Sequence, residues 1–132
     1  MYKSSLVRRT INKPEEKLLI LYYYLIKNDI KTLYGINPIN NDGISRLVVI
    51  LVSSKKLSKL LNVNIKTIRS WQEIIKIEYY KENYDEDKIP LWAFWVFLYR
   101  HVKLSLLIKD KNIDDWMSNH IKIKIISPLY YH

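Results

Sequence analysis

The residues best suited to chemistry lie between positions 54 and 74, where lysine and arginine side chains are spaced along two short amphipathic segments. Lys66 and Arg69 fall on the polar side of the second segment. Ammonium and guanidinium groups placed in this way can donate hydrogen bonds to phosphate oxygens or to the edges of bases. The pattern makes Arg69 the best candidate for a bidentate contact to guanine and Lys66 a candidate for a phosphate or a base edge.

Two short helices are expected to position these basic side chains. Ser54 is predicted to cap the first helix, in which Leu57 and Leu61 recur at helical spacing. Residues 62–64 form the turn, because asparagine tolerates left-handed backbone and Asn64 can also cap the second helix. Two short helices that brace each other across such a turn have the geometry of a helix-turn-helix, whose second helix enters the DNA major groove.

Burial of the apolar positions would give this helical pair a defined outer face. Ile68 and Trp71 are predicted to pack inward with Leu57 and Leu61. The residues then expected to face DNA from the cap and the second helix are Asn64, Ile65, Lys66, Arg69, Ser70 and Glu73. On the first helix, backbone phosphates would pass Lys55, Lys56 and Lys59.

The stretch from Leu57 to Trp71 resembles the helix-turn-helix of MerR-type regulators and phage excisionase-like proteins. Those proteins typically follow the turn with threonine, an aliphatic residue, a base and tryptophan, as Thr67, Ile68, Arg69 and Trp71 do here. The resemblance extends weakly to residue 77. It implies binding to double-stranded DNA through the second helix.

Two positions depart from that family pattern. Asn62 replaces the usual glycine of the turn, and Ile75 stands where a glycine usually ends the recognition helix. The segment after Ile75 therefore has two interpretations. Residues 76–84 form a short hairpin, which would be the wing of a winged domain, or the helix continues to Tyr80.

Composition favours a polyanionic partner. The 132 residues include 22 Lys and Arg against 13 Asp and Glu, for a formal charge of +9. Such a surplus in a small protein indicates nucleic acid or an anionic membrane surface. Residues 44–82 alone hold eight bases and three acids, a net charge of +5. Arg8 and Arg9 form a basic arm that either contacts phosphates or a minor groove, or is a simple tail.

Several function classes lack support in the sequence. No cysteine is present, and the three histidines have no zinc-ligand spacing, so neither a metal site nor a cofactor is expected. Acids at 85–87 and 114–115 are interpreted as helix-start residues. No phosphate loop or nucleophile–base pair occurs, which argues against an enzyme. Apolar runs at 18–26 and 91–99 fall short of the ~20 residues that cross a bilayer, so we expect a cytoplasmic, DNA-associated protein.

The expected fold is mainly α, in three parts of one compact domain. Residues 1–43 are the arm and an N-terminal helix that starts near Pro14, capped by Asn12. A short helix over 30–36 and a loop over 37–43 follow. Residues 44–84 are the helix-turn-helix, with 44–53 interpreted as its leading helix, although their β-branched content favours a strand.

Residues 85–132 are expected to hold a long aromatic helix, Leu91 to about Ile108, and a short helix that ends at His120. A strand at 121–126 would pair with a wing or with a partner copy. The aromatic helix carries Trp92, Phe94, Trp95, Phe97 and Tyr99, which are interpreted as core or dimer interface rather than as a platform for single-stranded bases.

These patterns together predict a homodimer that binds double-stranded DNA in a sequence-specific way, most simply as a transcriptional regulator of a virus or mobile element. Two alternatives stay open. One is an architectural or coat-like nucleoprotein that binds without sequence preference. The other is a small helical adaptor that contacts only proteins.

Overall fold

The computed structural model describes residues 11–34, 49–80 and 87–126, and it is mainly helical as expected. The helices of this part of the chain are α1 (Pro14–Lys27), α2 (Ser54–Leu61), α3 (Ile65–Tyr79), α4 (Leu91–Ile108) and α5 (Ile113–His120). Four three-residue strands accompany them. Strand β1 (Thr32–Tyr34) pairs in parallel with β4 (Lys124–Ile126), and β2 (Leu51–Ser53) pairs antiparallel with β3 (Lys88–Pro90).

Helix α4 is the centre of the fold. It contacts α1, α3, α5, β1 and β3. Its aromatic side chains Trp92, Phe94 and Trp95 are at most 1% exposed, which confirms the core interpretation and removes them from any dimer surface. Each such ring buries a large apolar area, so this helix supplies much of the core.

The composition of α4 would also suit a membrane span. Among the described helices, it is the one that is long and apolar enough, with 18 residues and a mean hydropathy of 1.3. Half of the helix is buried inside the fold. Burial among the other helices accounts for an apolar sequence of this kind without a lipid phase.

Helix α1 begins at Pro14, as predicted, and ends at Lys27, but its cap differs. The cap position is Lys13, which has left-handed backbone with φ of 51° and makes no side-chain capping bond. The prediction that Asn12 caps this helix was therefore wrong. Instead, the backbone carbonyl of Asn12 accepts a hydrogen bond from the ammonium group of Lys17.

The strands correct three further expectations. Residues 32–34 are β1 and not part of a helix, and residues 51–53 are β2, as their β-branched content favoured. Pairing between distant segments outweighs local helix preference at both places. The C-terminal strand begins at residue 124 and pairs with β1, not with a wing or a partner copy. The expected loop at 37–43 and residues 44–48 lie outside the described residues.

The two C-terminal helices were predicted with different success at their starts. Asp114 and Asp115 lie in the first turn of α5, as expected, and the side chain of Asn112 caps the helix by accepting hydrogen bonds from their amides. Helix α4 has no acid in its first turn. Asp87 precedes β3 instead, because residues 88–90 are needed to pair with β2, while residues 85 and 86 lie outside the described part.

A polar clasp joins the first turn of α1 to the end of α4. The Glu15 carboxylate accepts hydrogen bonds from Ser105 Oγ at 3.0 Å and from Lys109 Nζ at 2.8 Å. Burial raises the pKa of Glu15, but the hydrogen bonds from Lys109 and Ser105 outweigh it, and the pKa lies below its ordinary value of 4.5. A carboxylate of this kind stabilises the fold above its unfolded pKa, and the gain is lost as the pH falls through the folded pKa.

We therefore expect Glu15→Gln to lower the free energy of unfolding at pH 7 and to reduce the further loss of stability on acidification below about pH 4.5. Urea unfolding of wild type and variant between neutral and acidic pH measures both effects. Glu16→Gln, an exposed change in the same turn, is the control. Parallel stability profiles for wild type and Glu15→Gln would show that the clasp makes no net contribution.

Candidate nucleic-acid interface

The turn between α2 and α3 is fixed by three local features. Asn62 has left-handed backbone, with φ of 55° and ψ of 49°, as its residue type allows. Asn64 caps α3 by accepting a hydrogen bond from the Lys66 amide at 2.8 Å. Ser58 Oγ donates to the Val63 carbonyl at 2.6 Å and so ties the turn back to α2. Local hydrogen bonds of this kind restrict how the two helices can move relative to each other.

The inner face of the helical pair is as predicted. Leu57, Leu61, Ile68 and Trp71 are all buried, with no more than 4% of each residue exposed. The Trp71 ring lies 5.8 Å from that of Phe97 and 6.3 Å from that of Phe94, measured between centroids. Trp71 therefore anchors α3 to the central helix α4, and this anchoring determines which side of α3 faces solvent.

A buried polar link, which the sequence analysis missed, connects α2, α3 and β3. Ser54 lies inside α2 and is fully buried, and its Oγ donates to Gln72 Oε1 at 3.1 Å. Gln72 Nε2 donates to the Lys88 carbonyl at 2.9 Å. The cap of α2 is Ser53, whose Oγ accepts from the Lys56 amide at 3.0 Å, so the assignment of Ser54 as cap was wrong.

The sequence does hold a signal for this link. Gln72 occurs one turn after Ile68 and three residues before Ile75, both of which are fully buried. A polar residue at a buried helical position requires a partner, because an unpaired buried amide is costly. The partner, however, comes from β3, which the sequence did not reveal.

Gln72→Leu should test the link. Leucine keeps much of the volume but leaves Ser54 Oγ and the Lys88 carbonyl without this partner, so we expect a loss of about 1–3 kcal/mol in the free energy of unfolding. Urea unfolding gives the value. Lys76→Leu, an exposed change one turn later in the same helix, is the matched control and should stay within about 0.5 kcal/mol of wild type. Equal behaviour of the two variants would contradict the structural role assigned to Gln72.

The outer surface of α2 and the first half of α3 is strongly basic. Between residues 54 and 70 the sequence holds five lysine and arginine residues and no aspartate or glutamate. The five are Lys55, Lys56, Lys59, Lys66 and Arg69, and all are exposed. We call these five residues the basic face. Lys56 stands apart within it, because its Nζ lies 5.4 Å above the Tyr24 ring of α1.

Arg69 has a partner that the sequence analysis did not foresee. Its Nη2 atom lies 3.5 Å from Asp87 Oδ1, and the two side chains are 57% and 42% exposed. Asp87 comes to this place because the Ser54 amide donates to the Asp87 carbonyl at 2.9 Å, just before β3. Both side chains are partly exposed, so the pair contributes little to stability, although the Oδ1 atom of Asp87 is itself buried and has no hydrogen-bond partner among the described residues.

No family model, curated protein or solved structure matches this chain. The described residues also contain no group of three or more His, Asp or Glu side chains that could hold a metal ion. The basic face therefore has to be interpreted from its own geometry.

The other residues predicted to face DNA are less uniform. Glu73 is exposed, whereas Ile65 and Ser70 are half-buried. Asn64 is exposed, but its side-chain oxygen is engaged in the cap. Arg8 and Arg9 lie outside the described residues.

The question of a wing is answered in part. Helix α3 continues to Tyr79, so the interpretation of residues 76–84 as a hairpin was wrong for residues 76–79. Strand β3 pairs with β2 and leads directly into α4. It is therefore not the first strand of a hairpin. Residues 81–86 lie outside the described part of the chain.

Proposed function

We propose that this protein binds double-stranded DNA in a sequence-specific way, through the first half of α3, and acts as a transcriptional regulator. The observation that carries the proposal is the basic face, five exposed lysine and arginine side chains with no acid between residues 54 and 70, on a helical pair joined by a capped turn. The resemblance of residues 57–71 to MerR-type and excisionase-like helix-turn-helix segments supports the same assignment.

The positions of the lysine and arginine side chains indicate which of them would contact base edges and which would contact phosphates. Lys66 and Arg69 are on the exposed side of the first turns of α3, the part of a recognition helix that reaches base edges. Lys55 and Lys59 are one turn apart on α2, so they would contact the same stretch of phosphate backbone. Phosphate contacts position the protein, and contacts to base edges supply sequence preference.

Arg69 is the residue that we expect to read a base. In the free protein its guanidinium faces Asp87, and on binding it would exchange the carboxylate for the O6 and N7 atoms of a guanine. The exchange favours a specific site, because among the base edges of the major groove guanine presents two acceptors, O6 and N7, to one guanidinium. Elsewhere the guanidinium would keep Asp87 or contact a phosphate.

A selection experiment tests the proposal. The protein is mixed with a library of random duplexes at about 150 mM salt, and the bound fraction is sequenced. An enriched motif that contains guanine at a fixed place supports sequence-specific regulation. Binding without enrichment indicates an architectural nucleoprotein, because the electrostatic part of binding is indifferent to sequence. An absence of binding at low salt as well would leave the helical pair as a protein-docking unit, and the proposal would fail.

A further inference from the structure

A groove lies on the molecule away from the basic face, between the start of α1, the end of α3 and the second half of α4. Its volume is about 720 Å³. Apolar side chains form much of its wall, among them Ile11, Pro14, Ile74 and Phe97. The groove belongs to none of the interactions proposed above.

The polar side chains that line this groove have partners within the molecule. Arg100 Nη1 donates to the Tyr79 hydroxyl at 2.6 Å and lies 3.6 Å from Glu78 Oε1. Burial raises the pKa of Tyr79, so its hydroxyl is uncharged at neutral pH. Ser105 is likewise occupied, because it donates to Glu15. What the groove offers to an incoming partner is therefore mainly apolar surface.

An exposed apolar ridge forms one wall of the groove. Leu104 and Leu107 are each 59% exposed and Ile108 is 86% exposed, at a spacing that places them on one stripe of α4. Ile77 on α3, one turn beyond Ile74, is 80% exposed. Large apolar side chains gathered at one place on a surface indicate a contact with another molecule.

We propose that a second copy of this chain occupies the groove, through a two-fold contact in which the ridge of each copy packs into the groove of the other. A two-fold contact requires one patch to supply both the protruding and the receiving surface, and this patch supplies both. Charge favours the same partner. Among the described residues that line the groove, the carboxylate and the guanidinium are those of Glu78 and Arg100, which pair.

The balance of charge also argues against the other occupants. DNA and anionic membranes bind to protein surfaces on which basic side chains outnumber acidic ones. The groove lining has one of each, whereas the whole chain carries +9. A second copy repels the first least where its charges are paired. The contact therefore joins the molecules at a surface whose carboxylate and guanidinium are paired, and it leaves both basic faces free.

The position of the groove on α3 sets the spacing of the two basic faces, and this step rests on the proposed DNA binding. From Lys66 to Glu78 the axis of α3 rises about 18 Å, at 1.5 Å per residue. If the two α3 axes are roughly in line, two copies joined at the Glu78 end would hold their Lys66 ends about 36 Å apart, to which the thickness of the contact adds. This distance is of the same order as the 34–36 Å between successive major grooves on one side of B-DNA.

Sedimentation velocity over a range of concentrations tests the contact. We expect wild type to dimerise and Ile108→Glu to weaken self-association by at least about 10-fold, because the change puts two charges into an apolar contact. Ile26→Glu, an equal change on an exposed position at the far end of α1, is the control and should leave dimerisation unchanged. A monomeric wild type, or equal dimerisation by both variants, would overturn the inference.

Cross-linking tests the surface independently of affinity. Because the chain has no cysteine, Leu107→Cys introduces a single thiol. A flexible bis-maleimide, which can join thiols that do not meet at the two-fold axis, should give a covalent dimer from Leu107→Cys, and much less from Ile26→Cys. A wild-type monomer whose groove binds a fluorescent apolar probe, with binding lost in Ile108→Glu, would assign the groove to a small ligand and overturn the inference.

DNA binding separates this inference from the proposed function. If both hold, Ile108→Glu should keep wild-type affinity for one half-site and lose the additional affinity for a paired site. A dimer that binds no DNA would refute the proposed function and leave the contact standing. A monomer that selects an unpaired motif would refute the contact between copies and leave the proposed function standing.

Discussion

Arg69→Ala is expected to lower affinity for the selected DNA site by about 10- to 100-fold and to remove the preference for guanine at one position. The reason is the loss of the exposed guanidinium on the first half of α3, the group with the geometry for a bidentate contact to guanine. Fluorescence anisotropy with the selected duplex, and with a duplex in which that guanine is replaced, measures both effects.

Two further variants separate base reading from charge. Lys59→Gln should weaken binding to both duplexes equally. It should also reduce the slope of log affinity against log salt concentration by about the value of one phosphate contact. Asp87→Asn should leave Arg69 in place without its carboxylate partner and strengthen binding to both duplexes. If Arg69→Ala also weakens both duplexes equally, Arg69 contacts phosphate and does not read a base.

Trp71→Ala should cause the largest loss of stability among the changes considered, about 3–5 kcal/mol in the free energy of unfolding. The indole is 4% exposed and contacts the rings of Phe94 and Phe97, so its removal leaves a cavity between α3 and α4. Urea unfolding followed by far-ultraviolet circular dichroism measures the loss.

The matched control is Trp116→Ala on α5, where the tryptophan is half-buried and its ring stacks 4.9 Å from that of His120. We expect a smaller loss there, because less of the side chain leaves the core. A loss at Trp71 no greater than at Trp116 would contradict the role of Trp71 as the anchor of α3.

The helical pair was predictable because its determinants are local. Asn62 and Asn64 mark a left-handed residue and a cap within three positions, and Ile68 and Trp71 recur at helical spacing. Each signal involves residues at most a few positions apart. Sequence periodicity and capping chemistry report such short-range interactions well.

Most of the strands and the partner of Arg69 were not predictable for the opposite reason. The alternation at 121–126 did predict β4, but β1, β2 and β3 are too short for a period of two to be visible, and the partner of each strand is far along the chain. Ser53 and Ser54 are adjacent and chemically identical. Only the position of Gln72 decides which of them is buried, and only β2–β3 pairing brings Asp87 to Arg69.

The pairing of the first and last described strands also determines when the protein can complete its fold during synthesis. Strand β1 pairs with β4, and Ser105 of α4 meets Glu15 of α1 across 90 residues. At a translation rate of about 5–20 residues per second, α1 waits roughly 5–20 s for these partners to be made. During that interval Leu18, Leu21 and Leu25, which are all fully buried in the finished fold, lack part of the surface that covers them. The nascent chain is therefore a substrate for chaperones that bind apolar helices, until its C-terminal segments leave the ribosome.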